Sequence, residues 1–143
     1  MNKIFYFDVE TTGLSAFKND IIQLGAIIEV DGEVKEKLNL KMQPFDWENI
    51  SAKALEVNGI TEVELQNYPN PAIQFTKLQS KLKEYVDPFN RKDKFVMCGY
   101  NTQFDVGFLK QFWKKNDDKY FGSFFEYKYL DPFMVIFMID QVT

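Results

Sequence analysis

The chain has 143 residues, 45% of them hydrophobic and 27% charged, with 15 Phe and a formal net charge of −4, the make-up of one globular domain rather than two domains or a disordered tail. It contains no His and one Cys, Cys98, which excludes Ser-His-Asp and Cys-His nucleophiles, an H-E-x-x-H zinc site, a thiolate metal cluster and an internal disulfide. The ligands that remain are oxygens, and these suit hard cations such as Mg²⁺ or Mn²⁺. A reducing, cytoplasmic setting is expected for a chain with this cysteine usage. The acidic balance argues against a broad basic face for nucleic acid, although carboxylates that hold metal ions present positive charge to phosphate. No secretory signal is legible, and the longest uncharged apolar stretch, residues 133–139, is far short of the roughly 20 residues that span a bilayer. A soluble chain without a membrane partner is expected.

Residues 4–9 read as a buried strand. Residues 21–30 and 34–42 flank Asp31-Gly32, a pair that accepts the positive φ of a tight hairpin, so three antiparallel strands open the chain. Residues 51–58 read as a short helix closed by Gly59, and Thr61 with Glu64 fits a capping box. Asn70-Pro71 reads as an N-cap with proline at the first helical position. The helix that follows places Phe75, Leu78, Leu82 and Tyr85 on one face and stops at Asp87-Pro88. Residues 95–98 form a second buried strand. Apolar residues at 104, 108, 109 and 112 predict a helix over 104–114; residues 127–130 form a short strand, and Asp131-Pro132 starts a last helix. Crossover helices between the later strands imply an α/β sandwich with a mixed sheet.

Asp8 and Glu10 sit two apart on the first strand, so both side chains leave one face near its C-terminal end, where open α/β sheets place their ligands. Two carboxylates there repel each other and suffer desolvation unless a cation lies between them. The alternative is a strand that ends at Asp8, with both acids simply facing water.

The run Asp8-Val9-Glu10-Thr11-Thr12-Gly13-Leu14 resembles the first motif of the DEDD superfamily, the DnaQ-like 3′-5′ exonucleases. Gly99-Tyr100-Asn101-Thr102-Gln103-Phe104-Asp105-Val106-Gly107-Phe108-Leu109 resembles the second motif, and Val57-Asn58-Gly59-Ile60-Thr61 is similar to a helix-ending G-I-T segment of the same family. The resemblance implies a ribonuclease H-like three-layer α/β/α sandwich with a mixed five-stranded sheet, its C-terminal helices missing. It implies two-metal hydrolysis of a phosphodiester at the 3′ end of a single-stranded nucleic acid, with Mg²⁺ or Mn²⁺. In it Asp8 bridges both ions, Glu10 holds the nucleophile-side ion and Asp105 the leaving-group ion. Thr11, Thr12, Gly13, Leu14, Ile60, Asn101 and Phe104 become substrate contacts. DNA proofreading beside a polymerase subunit is the leading expectation, RNA trimming the runner-up, and a non-catalytic binding module or interaction subunit the alternatives from other classes.

The family carries a fourth acid on a later helix, preceded by a His or a Tyr, and nothing between Asp105 and Thr143 fits. Asp131 reads better as an N-cap, and Asp140 has Ile136 where a Tyr would stand. The apolar run 133–139 expects cover from further chain or from a partner. Residues 1–143 therefore read as a single, incomplete exonuclease domain, weak or inactive on its own.

Overall fold

The computed structural model describes residues 2–132; the expected last helix, the apolar run 133–139 and Asp140 lie outside the described residues. The elements are β1 (Lys3–Thr11), β2 (Ile21–Val30), β3 (Glu33–Lys41), α1 (Ala52–Asn58), α2 (Glu62–Gln66), α3 (Pro71–Lys83), β4 (Phe95–Cys98), α4 (Thr102–Lys115) and β5 (Phe125–Leu130), with a 3₁₀ turn at Phe121–Ser123 before β5. One five-stranded sheet forms in the order β3-β2-β1-β4-β5. The β1–β2 and β2–β3 pairs are antiparallel, while β4 lies parallel to both β1 and β5. This is the mixed sheet that the sequence predicts.

Local chemistry accounts for most boundaries. The β2–β3 hairpin turns on Asp31 (φ 51°) and Gly32 (φ 83°), the two left-handed residues of a type I′ turn. The Ser51 hydroxyl accepts the Ala54 N–H at 3.2 Å, and α1 ends on Gly59 at φ 69°. The Thr61 hydroxyl accepts the Glu64 N–H at 3.2 Å to start α2, and Asn70 Oδ1 accepts the Ala72 N–H at 2.8 Å to start α3. Two helix boundaries move, and β5 starts at Phe125 rather than residue 127. Helix α3 stops at Lys83 instead of Asp87, since the next turn is tied to β1: Lys3 Nζ donates to the Tyr85 carbonyl and pairs with Asp93. Helix α4 starts at Thr102 rather than residue 104.

Along β1, Phe5, Phe7 and Val9 enter the core while Tyr6, Asp8 and Glu10 point to the other face. Helices α3 and α4 cover the core face with Phe75, Leu78, Leu82, Phe108, Leu109, Phe112 and Trp113. Trp113 is fully buried, with edge-on rings of Phe75 at 5.0 Å and Phe121 at 5.3 Å. A smaller cluster joins Ile22 to Leu55 of α1 and Leu65 of α2. Within the described residues α3 and α4 form a single helical layer on this face, and the third layer of the expected sandwich is not among them. No helix of the described residues is long and apolar enough to cross a membrane.

Candidate active site

Strand β1 runs through Glu10 to Thr11, so Asp8 and Glu10 lie within the strand rather than beyond its end. Asp8 stands opposite Gly25 of β2, where a methyl group would meet nothing within 4 Å, which leaves open space beside its carboxylate. Glu10 is half-buried, and burial first, then the Asp8 charge, pushes its carboxyl above the ordinary range.

Asp105 reaches the same place from the first turn of α4. It is only 2% exposed. The Val9 backbone N–H donates to its carboxylate, yet Oδ2 is buried without a hydrogen-bond partner. Burial, with Asp8 and then Glu10 adding repulsion, pushes Asp105 up to about 7. Gly99 permits this closeness. A Cβ there would lie 2.8 Å from the Phe7 carbonyl and 3.3 Å from Asp105 Oδ2, so any larger residue would wedge β4 and α4 away from β1. The turn between β4 and α4 is pinned by Thr102, whose hydroxyl accepts the Gly99 N–H at 3.1 Å and lies 2.9 Å from the Leu130 carbonyl.

The three carboxylates therefore share one field in which negative charge is in excess. An orphaned buried oxygen and an all-oxygen donor set fit a hard divalent cation. Among the described residues no three acidic side chains are already gathered into a cage, so ligation requires exposed Asp8 and half-buried Glu10 to turn toward Asp105. Asp131 precedes Pro132 at the end of β5, consistent with a helix start, and it adds to burial in pushing the Cys98 thiol up.

Beside this cluster lies a groove of about 320 Å³ whose lining includes Glu10, Thr11, Gly13, Leu14, Lys53 and Phe104. Leu14 is 87% exposed and so is no core residue. Phe104 is partly buried, its ring 4.9 Å from that of Phe108. Four of the expected contacts also have roles within the fold. Thr12 is fully buried, and its hydroxyl accepts the Asp20 N–H at 2.9 Å, which holds a loop. Ile60 packs on the Ile22–Leu55–Leu65 cluster, away from the groove. Asn101 is exposed at the start of α4, makes no capping bond through its side chain, and does not line the groove. Gly13 also makes a close approach within the fold, where a Cβ would fall 2.4 Å from Asn19 Oδ1. Asn19 cannot swing aside freely, since it accepts the Ser15 N–H at 3.0 Å and donates to the Asn49 carbonyl at 2.7 Å. Gly13→Ala is accordingly expected to destabilise the chain by about 1–3 kcal/mol through overpacking, read as an unchanged m-value with a lower urea midpoint.

Lys53 and Asn58 escaped the sequence reading. Asn58 Nδ2 donates to the Thr11 carbonyl at 3.0 Å, joining the end of α1 to the end of β1. Lys53 is exposed on the same side of α1 as Val57, one turn on, and both line the groove. A Lys four residues before an exposed Val is the signal that could have located this wall.

The exonuclease family model RNase_T matches residues 5–131, which spans both motifs. The PolC-type DNA polymerase III of Streptococcus pyogenes serotype M2 (strain MGAS10270) is 35% identical over 111 residues, 78% of this chain and 7% of that protein. Among solved structures, E. coli exonuclease I in complex with a dT13 oligonucleotide has a TM-score of 0.76 at 20% identity, covering 95% of this chain and 29% of that one. Apo exonuclease I has a TM-score of 0.75 at 20% identity, with 95% and 30% covered. The chain thus spans under a third of the exonuclease I chains and a small fraction of the PolC relative, while the likeness to exonuclease I establishes the ribonuclease H-like α/β fold. With a family match across nearly its whole length, this chain belongs to the exonuclease family.

Proposed function

We propose that this chain is a metal-dependent 3′-5′ exonuclease domain that acts on single-stranded DNA, with Asp8, Glu10 and Asp105 as its carboxylate ligands and Mg²⁺ or Mn²⁺ as its ions. One observation carries the reading: the buried, unpartnered Asp105 Oδ2 in the combined field of Asp8 and Glu10. A structural carboxylate would have acquired a partner; this one is held ready for a cation. When bound, the divalent ions supply Lewis-acid stabilisation of the charge that develops at the phosphodiester.

The chain's own residues bind and orient the strand. Asp8 and Glu10 turn their carboxylates toward Asp105, and Gly99 keeps β4 close enough for the three to act together. Leu14 and Phe104 form the apolar sides of a slot for the terminal base, with Thr11 and Gly13 as its floor. Lys53 on the rim is placed to meet a phosphate. The relation to a PolC-type DNA polymerase III and to an exonuclease I that holds dT13 supports DNA as the substrate and a polymerase as the partner; the single cysteine of the chain favours a reducing cytoplasm.

The test is a 5′-labelled single-stranded oligonucleotide incubated with the 143-residue chain and Mn²⁺. Slow shortening from the 3′ end is expected, stopped by EDTA and absent in Asp8→Asn. Shortening from the 5′ end, or shortening that survives EDTA or Asp8→Asn, overturns the proposal, as does the absence of both cleavage and Mn²⁺-dependent strand binding. Leu14→Ala removes an exposed side chain, so stability should move by no more than about 0.5 kcal/mol. Catalytic efficiency should fall about tenfold, from a lost apolar contact of roughly 1–2 kcal/mol in the complex, measured as kcat/KM on the same substrate.

A further inference from the structure

On the far side of the loop that carries Leu14 lies a larger groove, of about 750 Å³, between α4 and residues 117–121. That volume is within the range of roughly 300–1,000 Å³ that holds ligands the size of a nucleotide. Three lysines line it, Lys110, Lys114 and Lys119, in a chain whose net charge is −4. Two aromatic side chains at its edge are wet, Phe17 at 78% and Tyr120 at 60% exposed. Lys119 Nζ sits 5.7 Å from the Tyr120 ring centre, so cation and ring are presented together. Two acids also line the groove. Asp118 is committed internally, accepting the Tyr120 N–H and the Gln79 amide, both at 2.8 Å, and Asp117 is a turn residue at φ 56°. Lys110 also borders an adjoining groove of about 400 Å³ that includes Arg91, which extends the basic strip.

Lysines that track a backbone beside exposed rings that take the face of any base are how proteins hold single strands without regard to sequence. The position fits the site. Phe104 ends the candidate active-site groove, Gly107 lies against Ala16 of the intervening loop, and Lys110 and Lys114 follow on the same helix. At about 1.5 Å per residue, Lys114 is roughly 15 Å along α4 from Phe104, a span of only a few nucleotides of single strand.

We propose that this groove is a second subsite for single-stranded nucleic acid, which holds the strand a few nucleotides upstream of the 3′ end. The inference rests on the exonuclease reading. It adds to that reading a minimum useful substrate length: a trinucleotide fills the catalytic groove alone, while a strand of eight or more engages both.

Fluorescence anisotropy of 5′-labelled dT12 and dT3 against the whole chain, with and without Lys110→Ala/Lys114→Ala, tests it. Both lysines are exposed, so the variant should fold normally, which its melting curve checks. For dT12 the dissociation constant should rise about tenfold, and the slope of log K against log salt should shrink by about 1.4, at ~0.7 per phosphate contact on a single strand. Binding of dT3 should not change. Equal losses for both lengths, or none for dT12, overturn the subsite and leave the exonuclease reading standing. Wild-type binding of dT12 that is indifferent to a 3′-phosphate and to Mn²⁺, yet sensitive to the lysine pair, supports strand binding in the groove and counts against the catalytic site instead. Displacement of dT12 from the groove by an acidic peptide alone, with no loss of binding in Tyr120→Ala, would mark a protein-tail site and overturn the nucleic-acid assignment.

Discussion

Asp105→Asn is expected to make the metal-free chain more stable at pH 8 while sharply weakening its response to divalent ions. The wild-type carboxyl is buried, one oxygen has no partner, and it is held up at about 7 against an ordinary value of 3.8. A raised carboxyl binds its proton more tightly in the folded state than in the unfolded one. Its contribution to stability is therefore fully present below about pH 4, declines as pH rises toward 7, and leaves the fold carrying an unfavourable charge above that. The difference corresponds to about 4 kcal/mol at pH 8. An amide keeps an oxygen for the Val9 N–H and removes the charge, but it introduces N–H donors that lack partners, which takes back roughly 1–3 kcal/mol. A net gain of about 1–3 kcal/mol should appear as a melting temperature several degrees higher at pH 8, an advantage that is lost as pH falls and is reversed by about pH 4, where only the cost of the amide remains. Mn²⁺ should stabilise the wild type at pH 8 and the variant much less, since the variant lacks one of the three proposed carboxylate ligands. A variant that melts below the wild type at pH 8, or that keeps the wild-type pH slope, would refute this account.

That opposition between stability and function explains which parts of the site could be read from sequence. Hairpin and helix ends follow local rules, and Asp31-Gly32, Ser51, Gly59 and Asn70-Pro71 sit where those rules place them. The acids were legible as a linear motif, and so was the face they share. Their environment was not. A run ending in Asp8 and Glu10 reads as a strand that stops at its charges, whereas β1 continues because Gln23 and Ile21 of β2 keep pairing with Glu10 and Thr11 across a bulge. The burial of Asp105 depends on Gly99 and Thr102, which lie in the second-motif run but act by joining β4, α4 and β5, a long-range role that the linear run does not show. Thr12 and Gly13 belong to the motif, yet their immediate partners are Asp20 and Asn19, six to eight residues on. The motif therefore specifies the shape of a loop as much as a set of contacts with substrate.

That loop is also tied to the body of the fold by a lysine distant in sequence, and the second large effect follows from it. Lys115 Nζ, from the last turn of α4, pairs with Asp20 at 2.7 Å and donates to the carbonyls of Asn19 at 2.7 Å and Ala16 at 3.4 Å. The Asp20 side chain is 1% exposed and its other oxygen accepts the Asp46 N–H at 2.9 Å. Lys115→Met keeps the side chain's length and apolar stem but leaves a buried carboxylate and two carbonyls without their cation. Breaking a buried pair from one side costs roughly 3–5 kcal/mol. The Lys115 side chain is 22% exposed, so water softens the loss to about 2–4 kcal/mol, read from urea unfolding. The loop 12–20 borders both grooves, and the same change should weaken binding of dT12 and dT3 alike, unlike the Lys110/Lys114 pair. Lys115→Met combined with Asp20→Asn removes the stranded charge and should recover at least half of the stability, as coupled sites do. A loss below about 1 kcal/mol in the single variant, or no recovery in the double, would mean that the loop is held by the Asn19 and Thr12 hydrogen bonds and that Lys115 is incidental to it.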